Sequence, residues 1–326
     1  MISQLPIISI IAPCLNEEQS VKPLVENLLL IINKMSAMGI AHADSYVILV
    51  DDGSKDDTWA NIEHLHAKYG NKVTGVKLTH NVGHQKALIA GLEHALCRKC
   101  DAMITIDADL QDDTECIINM TQHFHQGYDI VYGVRDDRRS DTRFKRNSAS
   151  LFYRLMRHFE PTIIKNHADY RLMSRRSTEM LMQYSERNIF LRGIVPQIGL
   201  NSCEIQYSRN PRVAGKSKYP LARMINFAVE GITSFSIVPM RLILILGIVF
   251  MICTIAVTIY VISAILIGRT IPGWASMMLS LWFIGSLVLI ALGIIGEYVG
   301  KIYIEVKHRP RYFVEKTTED FGSPNK

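Results

Sequence analysis

Short apolar runs alternate along the first 135 residues with stretches whose apolar positions recur every three or four residues. The short runs predict buried strands, and the longer period predicts amphipathic helices. The predicted strands are Ile7–Ala12, Tyr46–Val50, Val73–Leu78, Ala102–Ile106 and Asp129–Val134. Because strands that alternate with helices form βαβ units, we expect an α/β domain with a mainly parallel sheet flanked by helices.

Two long uncharged runs, Leu242–Ile267 and Thr270–Gly296, follow this region. Each is longer than the roughly 20 residues that cross a bilayer, whereas the core helix of a soluble protein has an apolar run of about 10–14 residues. We therefore expect two transmembrane helices, over about 240–267 and about 274–297, joined by a tight turn.

Basic residues are concentrated on both sides of these runs. Those before the runs are Arg209, Arg212, Lys216, Lys218, Arg223 and Arg241, and those after them are Lys301, Lys307, Arg309, Arg311 and Lys316. The turn between the runs contains only Arg269. Because loops rich in lysine and arginine stay on the cytoplasmic side, the soluble domain and both termini are predicted to be cytoplasmic.

The expected organisation is a cytoplasmic domain over 1–216, an interfacial amphipathic helix over 217–236, the membrane region over 237–300 and a basic cytoplasmic tail over 301–326. The helix over 219–236 could equally pack on the soluble domain. The basic stretch 135–150 is either a solvated loop or a mobile loop that grips a phosphate.

The formal net charge of +5 is mild and lies mostly near the membrane region. It predicts contact with anionic lipid and no nucleic-acid partner. The six cysteines are scattered, and Cys97 and Cys100 have no second Cys or His pair at zinc-finger distance. We expect unpaired thiols in a reducing compartment.

Polar residues follow three of the predicted strands, where the carboxyl ends of parallel strands form a ligand crevice. These residues are Asn16 and Glu17, Asp51 and Asp52, and Asp107 and Asp109. An Asp-x-Asp pair alone is also typical of a solvated turn. Three such ends together favour a site for Mg²⁺ or Mn²⁺, whose charge lets an acidic crevice bind a diphosphate.

Seven short motifs extend this pattern along the chain. They are Pro13–Glu18, Asp51–Ser54, Asn81–Gln85, Asp107–Gln111, Asp169–Met173, Phe190–Gly193 and Arg212–Tyr219. The set resembles the family 2 glycosyltransferases and, within them, the polyprenyl-phosphate sugar transferases such as dolichol-phosphate mannose synthase and the bactoprenol glucosyltransferases. The resemblance extends from residue 7 to about residue 220 and implies a Rossmann-like fold of the GT-A type.

The resemblance also implies roles for individual residues. The nucleotide and donor side comprises Pro13, Asn16, Glu17, Asp51, Asp52, Asp107, Arg212 and Lys218, and the metal set comprises Asp107, Asp109 and Gln111. Asp109 and Asp169 are the implied catalytic residues, Asp169 at a position sometimes proposed as a base. Arg135 and Arg146 lie where the family meets the acceptor phosphate. Cys14 stands where the family often has a tyrosine, so stacking on the nucleotide base is not expected.

The activity implied is an inverting, metal-dependent transfer of one hexose, glucose from UDP-glucose, to undecaprenyl phosphate at the inner membrane. The alternatives are another sugar with the same chemistry, a processive polysaccharide synthase, and a non-catalytic scaffold or flippase partner. A processive synthase carries a Gln-x-x-Arg-Trp motif, which this sequence lacks. Gly285, Gly293, Gly296 and Gly300 have small-residue spacing that permits a homo-oligomer through the transmembrane helices.

Overall fold

The computed structural model describes residues 5–135, 167–187, 190–208 and 273–319, with isolated positions between 243 and 267. The chain divides into two compact units. One contains Met1–Tyr219 with Arg309–Lys326, and the other contains Pro220–His308.

The first unit is built on a sheet that has eight strands in the described part of the chain. The strands are β1 (Ile8–Cys14), β2 (Tyr46–Asp51), β3 (Val73–Leu78), β4 (Ala102–Thr105), β5 (Ile130–Arg135), β6 (His167–Ser174), β7 (Ser202–Tyr207) and β8 (Val314–Thr317). Their order across the sheet is β7-β5-β6-β4-β1-β2-β3-β8.

Strands β1 to β4 are mutually parallel, in the order β4-β1-β2-β3. Strand β6 lies antiparallel between β4 and β5, and β7 runs parallel to β5. Every residue of β1 and β2 is buried, as expected for parallel strands with both faces covered. The predicted α/β fold with a mainly parallel sheet is confirmed, and the first five predicted strands all exist.

Helices cover the sheet. In the first unit the described helices are α1 (Val21–Ala37), α2 (Thr58–Tyr69), α3 (His84–Leu96), α4 (Cys116–His125), α5 (Arg175–Met182) and α6 (Leu191–Gln197). A single 3₁₀ turn, Gly70–Lys72, joins α2 to β3. The apolar stripe of α1, which includes Val21, Leu24 and Leu28, is buried against the sheet. Because four βα units run in the same direction, their connecting loops meet at one edge, where the predicted polar residues lie.

The second unit contains α7, which spans Trp274–Val306. Its segment Phe283–Val306 has 24 residues and a mean hydropathy of 2.0, enough to cross a membrane by length and composition. Among the described residues this is the one helix that passes that test. The helix continues nine residues past the predicted end at 297, since Val306 is its last residue. The predicted first transmembrane helix lies mostly, and the interfacial helix entirely, outside the described residues, although the isolated positions from 243 to 266 are helical.

The segment after α7 returns to the first unit. Val314–Thr317 pairs antiparallel with β3 and forms the edge of the sheet. The sequence predicted only a basic tail here, because four residues with two charges carry no strand periodicity.

Gly91 lets α3 pack closely on the sheet. A Cβ at this position would lie 2.4 Å from Ile11 Cγ2 and 3.0 Å from Val50 Cγ2. Alanine is a better helix former than glycine by about 1 kcal/mol. However, Ile11 and Val50 are β-branched and cannot easily move away from an added Cβ. The resulting overpacking costs about 1–3 kcal/mol.

We therefore expect Gly91→Ala to lower the free energy of unfolding by up to about 2 kcal/mol, which is the overpacking cost less the propensity gain. The measurement is urea unfolding in detergent. The same substitution in an Ile11→Ala background should cost less, because the nearest methyl group is gone. An equal cost in both backgrounds would contradict the packing argument.

Candidate active site

The loops after β1 and β2 are bonded to each other. Asn16, in the left-handed region at φ 55°, donates its backbone N–H to Ser54 Oγ at 2.9 Å and accepts from the Lys55 N–H at 2.9 Å through Oδ1. The Glu17 N–H donates to Thr58 Oγ1 at 2.9 Å. Pro13 is buried within β1, opposite Val50. The first two predicted groups of polar residues therefore lie on two loops that are hydrogen-bonded to each other.

Asp51 and Asp52 are both buried at the end of β2. Asp51 Oδ1 accepts from the Ser54 N–H at 3.0 Å. Asp52 accepts from Val82 N–H at 2.8 Å through Oδ1 and from Gly83 N–H at 3.1 Å through Oδ2. Burial raises the pKa of Asp52, and these two amides oppose the rise. Asp52 thus holds the β3–α3 loop against the end of β2.

The turn at Gly53 packs against the same loop. Gly53 has φ 68°, and a Cβ there would lie 2.5 Å from the backbone carbon of His80. Only glycine fits this combination of backbone angle and contact. The Asp51–Ser54 motif is therefore needed for the approach of two loops as well as for its charge.

Asp107 and Asp109 lie on the loop after β4, and both are partly exposed, whereas Ala108 between them is buried. Leu110 has a positive φ of 57°, and Asp109 Oδ1 accepts from the Gln111 N–H at 3.2 Å. This turn directs two neighbouring carboxylates toward solvent at the carboxyl edge of the sheet. Gln111 itself is 6% exposed.

The predicted metal ligands fit a divalent cation that is also bound by a substrate. Within the described ranges, no group of three or more His, Cys, Asp and Glu side chains is arranged to hold a metal ion. Mg²⁺ commonly keeps several waters and binds one or two carboxylates together with substrate phosphates. Asp107 and Asp109 can supply those carboxylates, whereas the buried position of Gln111 makes it the least accessible of the three predicted ligands.

Asp169 is the most heavily bonded carboxylate of the site. Its Oδ1 lies 2.6 Å from an Arg171 nitrogen, and its Oδ2 lies 3.0 Å from Arg192 and 3.2 Å from Gln85 Nε2. Burial alone would raise the pKa of Asp169, but the two guanidinium groups outweigh burial and hold it well below its usual range. Asp169 is therefore anionic at neutral pH and a poor proton acceptor.

His84, the first residue of α3, connects two of the predicted carboxylates. Its Nε2 lies 3.4 Å from Asp107 Oδ1 and 3.7 Å from Asp169 Oδ2. Gln85 Oε1 accepts from the Leu191 N–H at 3.0 Å, so the start of α3 also contacts α6. The fold therefore brings Asp107 and Asp169 to one place although 62 positions (169 − 107) separate them.

Arg135 is held at the end of β5 by two buried residues. Its Nε donates to the Tyr207 hydroxyl oxygen at 3.1 Å, and a terminal nitrogen lies 3.9 Å from Asp112 Oδ1. The Tyr207 hydroxyl in turn donates to Asp112 Oδ1 at 2.9 Å. The Arg135 side chain remains 29% exposed. Asp112 belongs to the loop of Asp109, so the predicted acceptor arginine is tied to the predicted metal loop.

Three predicted site residues, Arg146, Arg212 and Lys218, lie outside the described residues. The sequence reasoning missed the roles of Gln85, Arg171, Arg192, Asp112 and Tyr207. The first three lie within the family motifs, which could have indicated their roles, whereas no sequence pattern marks Tyr207.

The five described cysteines are free, as expected, and burial raises the pKa of the Cys14 thiol far above its usual value.

The fold and the site define a class of protein: an α/β protein with a mainly parallel sheet whose strand ends present the neighbouring carboxylates of Asp107 and Asp109. The chain belongs to glycosyl transferase family 2, because the model of that family matches residues 9–181. The resemblance seen in the sequence is therefore confirmed, and with it the GT-A fold.

Curated relatives cover nearly the whole chain. An uncharacterized glycosyltransferase, YkoT of Bacillus subtilis, is 48% identical over 310 residues, which cover 95% of this chain and 91% of the relative. The SfII prophage-derived bactoprenol glucosyl transferase of Shigella flexneri is 37% identical over 312 residues, covering 95% and 98%. Among solved structures, glucosyl-3-phosphoglycerate synthase from Mycobacterium tuberculosis aligns with a TM-score of 0.45 and 17% identity over 70% of this chain and 78% of that one.

Asp169→Asn should destabilise the protein strongly. It leaves Arg171, which is 2% exposed, without its counter-charge, and breaking a buried ion pair costs about 3–5 kcal/mol. The measurement is the free energy of unfolding in urea. The matched control is Glu179→Gln, which breaks the exposed Arg175–Glu179 pair and should cost under about 0.5 kcal/mol. Equal losses in the two variants would refute the assignment.

The stability that Asp169 contributes should depend on pH in one direction. Since its pKa in the folded state is depressed, the contribution is complete above the unfolded value of about 3.9 and is lost as pH falls below it. The difference in unfolding free energy between wild type and Asp169→Asn should therefore stay constant from about pH 5 to 8 and shrink in more acidic buffer.

Proposed function

We propose that this glycosyltransferase moves one glucose from UDP-glucose to undecaprenyl phosphate with inversion at the anomeric carbon. The observation that carries the proposal is the pair of partly exposed carboxylates Asp107 and Asp109 at the carboxyl edge of the sheet, with Asp107 beside the His84–Asp169 cluster. Support for the acceptor and the sugar comes from relatives named bactoprenol glucosyl transferase that match 95% of this chain.

The nucleotide side is assigned to the loops after β1 and β2. Pro13, Asn16 and Glu17 border it, and Asp51 and Asp52 belong to it through the turn at Gly53. Asp52 acts by fixing the Val82–Gly83 backbone, since both of its oxygens accept from those amides. Arg212 and Lys218 are assigned to the donor phosphates on the resemblance alone.

The leaving group is a nucleoside diphosphate on which negative charge grows as the sugar bond breaks. Mg²⁺ or Mn²⁺ held by Asp107 and Asp109, with Gln111 as the weakest candidate ligand, would offset that charge when bound. His84 adds a hydrogen-bonding group next to Asp107, and Arg192 adds a cationic group next to Asp169. The role of Asp109 in catalysis is therefore electrostatic.

The acceptor needs little help from a base. A phosphate monoester is largely dianionic at neutral pH because its second pKa is about 6. Asp169 positions Arg192, Gln85 and His84 and does not accept a proton, because its pKa is depressed. Arg135, held by Tyr207 and Asp112, is assigned with Arg146 to the acceptor phosphate. Attack opposite the leaving group converts an α-linked donor into a β-linked lipid product.

The membrane places the enzyme at its substrate. We assign two transmembrane helices in the inner membrane, with the catalytic domain and both termini cytoplasmic, because the acceptor's hydrocarbon tail stays in lipid. Helix α7 supports this, since its membrane-length segment has no buried positions. Gly285, Gly293, Gly296 and Gly300 have open space where a Cβ would lie, which leaves room for a homo-oligomer contact.

The direct test incubates the purified protein in detergent with Mg²⁺, undecaprenyl phosphate and a panel of nucleotide sugars, followed by mass analysis of the lipid. We expect a product heavier by one hexose with UDP-glucose and none when EDTA is added. A product from an N-acetylhexosamine, mannose, galactose or aminoarabinose donor alone would show that the transferred sugar is not glucose. No transfer from any donor would favour a scaffold or flippase partner.

Replacing Asp109 should reduce turnover more than replacing Asp169. Asp109→Asn removes a charge that acts on the leaving group, an effect worth about 10²–10³-fold in comparable electrostatic sites. Asp169→Asn should lower the turnover number of the folded fraction less. The measurement is the initial rate at saturating substrates, corrected for folded protein. A deeper loss in Asp169→Asn would contradict this order of effects and favour base catalysis by Asp169.

A further inference from the structure

The segment Arg311–Glu319, called here the C-terminal segment, is bonded to strand β3 from Gly75 to Leu78. Strand β8 aligns Thr317 with Val76 and Val314 with Leu78. At one end the Thr318 N–H donates to the Gly75 carbonyl at 3.0 Å, and the Gly75 N–H donates to Thr318 Oγ1 at 2.9 Å. The segment therefore forms the edge strand of the sheet next to β3.

Side chains hold the same segment to α3 and its neighbours. The Tyr312 hydroxyl donates to a Glu93 carboxylate oxygen, and Arg311 lies 3.8 Å from the other oxygen. Arg311 also donates to the carbonyl of Tyr184. Burial and the nearby Glu93 carboxylate raise the pKa of Tyr312, so its hydroxyl stays protonated as a donor.

Two further ion pairs secure the strand. Lys77 Nζ lies 3.1 Å from Glu315 Oε1, and an Arg98 nitrogen lies 3.6 Å from Glu319 Oε2. At Gly75, an added Cβ would lie 3.1 Å from Thr318 Cγ2, so the two strands approach closely. Such a set of contacts is more than an unstructured basic tail would make.

The contacts lead directly into the donor side of the site. The carbonyl of Phe313 accepts from the Thr79 N–H at 3.0 Å, where β3 ends and the loop to α3 begins. Three and four residues later, Val82 and Gly83 donate to Asp52. Glu93 lies on α3, whose first residue, His84, contacts Asp107. The segment thus holds both the loop and the helix that meet the donor residues.

We propose that the C-terminal segment is a positioning element for the nucleotide donor, acting through the Thr79–Gly83 loop and through α3. The proposal rests on the proposed function for the identity of the donor. The segment lies beyond residues 9–181, which the family model matches, and it follows α7 in the chain. A catalytic domain cut before the membrane helices therefore lacks part of its own sheet.

The competing explanation is that β8 only covers a sheet edge, since an open edge invites aggregation. The two explanations differ in what a mild change does. Loss of edge protection lowers stability and leaves substrate affinity unchanged. Loss of positioning weakens the binding of the donor and not that of the acceptor. The proposed acceptor residue, Arg135, lies on β5, next to the sheet edge opposite β8.

The test compares Tyr312→Phe with the control Tyr128→Phe, a partly buried tyrosine on the connection between α4 and β5. One hydrogen bond is worth about 0.5–1.5 kcal/mol, so Tyr312→Phe should raise the KM for UDP-glucose about 3- to 10-fold. Its KM for undecaprenyl phosphate and its kcat should stay within about twofold of wild type, as should all three values for the control.

Thr318→Val is the second variant, since it removes the acceptor of the Gly75 N–H with little change in volume. It should raise the KM for UDP-glucose about 3- to 10-fold, because it also removes one hydrogen bond, and it carries the test if Tyr312→Phe does not fold. A lower thermal midpoint with both KM values unchanged would overturn the proposal in favour of edge protection. An equal rise in both KM values would overturn it as well.

Direct titration of UDP with Mg²⁺ separates this inference from the proposed function. If wild type transfers no sugar to undecaprenyl phosphate, the proposed function fails, but the titration still decides the role of the segment. A weaker UDP affinity in Tyr312→Phe than in wild type and Tyr128→Phe supports positioning. Equal affinities in all three proteins overturn it.

Discussion

The ion pairs of Asp169 are the constraint on which the site depends. Arg171 is 2% exposed and Asp169 5% exposed, and such buried charges are tolerated only when they are paired. Asp169 and Arg171 both lie on β6, and the Asp169 carboxylate links this strand to α6 through Arg192. It also contacts Gln85 and His84 at the start of α3. The same pairing that keeps Asp169 ionised removes it as a base and leaves it a structural centre.

A second set of bonds organises the donor side. The carboxylate of Asp52 and the backbone and side chain of Asn16 link the loops after β1, β2 and β3, and the C-terminal segment joins from the outer edge. Because the four strands from β1 to β4 are parallel, all of these loops meet at one edge with the carboxylates of Asp107 and Asp109. Arg135, which we propose to bind the acceptor phosphate, lies on β5 and is held there by Tyr207 and Asp112.

The sequence predicted most of the first half of the sheet and little of the rest. Strands β1 to β5 are mostly apolar, and their predicted ends agree with the structure to within two residues. Strand β6 was missed because it contains Asp169 and Arg171, whose charges interrupt the apolar pattern although both side chains are buried. Strand β7 is a short edge strand with alternating exposure, and β8 has four residues with little burial.

Periodicity and composition alone determined the α/β class and the position of the long apolar helix α7, because these features reflect the burial and solvent exposure of neighbouring residues. The motifs identified the family and most of the carboxylates. Only the tertiary structure decided which charges pair. Asp169 with Arg192, Arg135 with Asp112 and Tyr312 with Glu93 are contacts between distant positions. A local pattern records that a residue is buried or charged, whereas its partner is set by the order and direction of strands that meet only on folding.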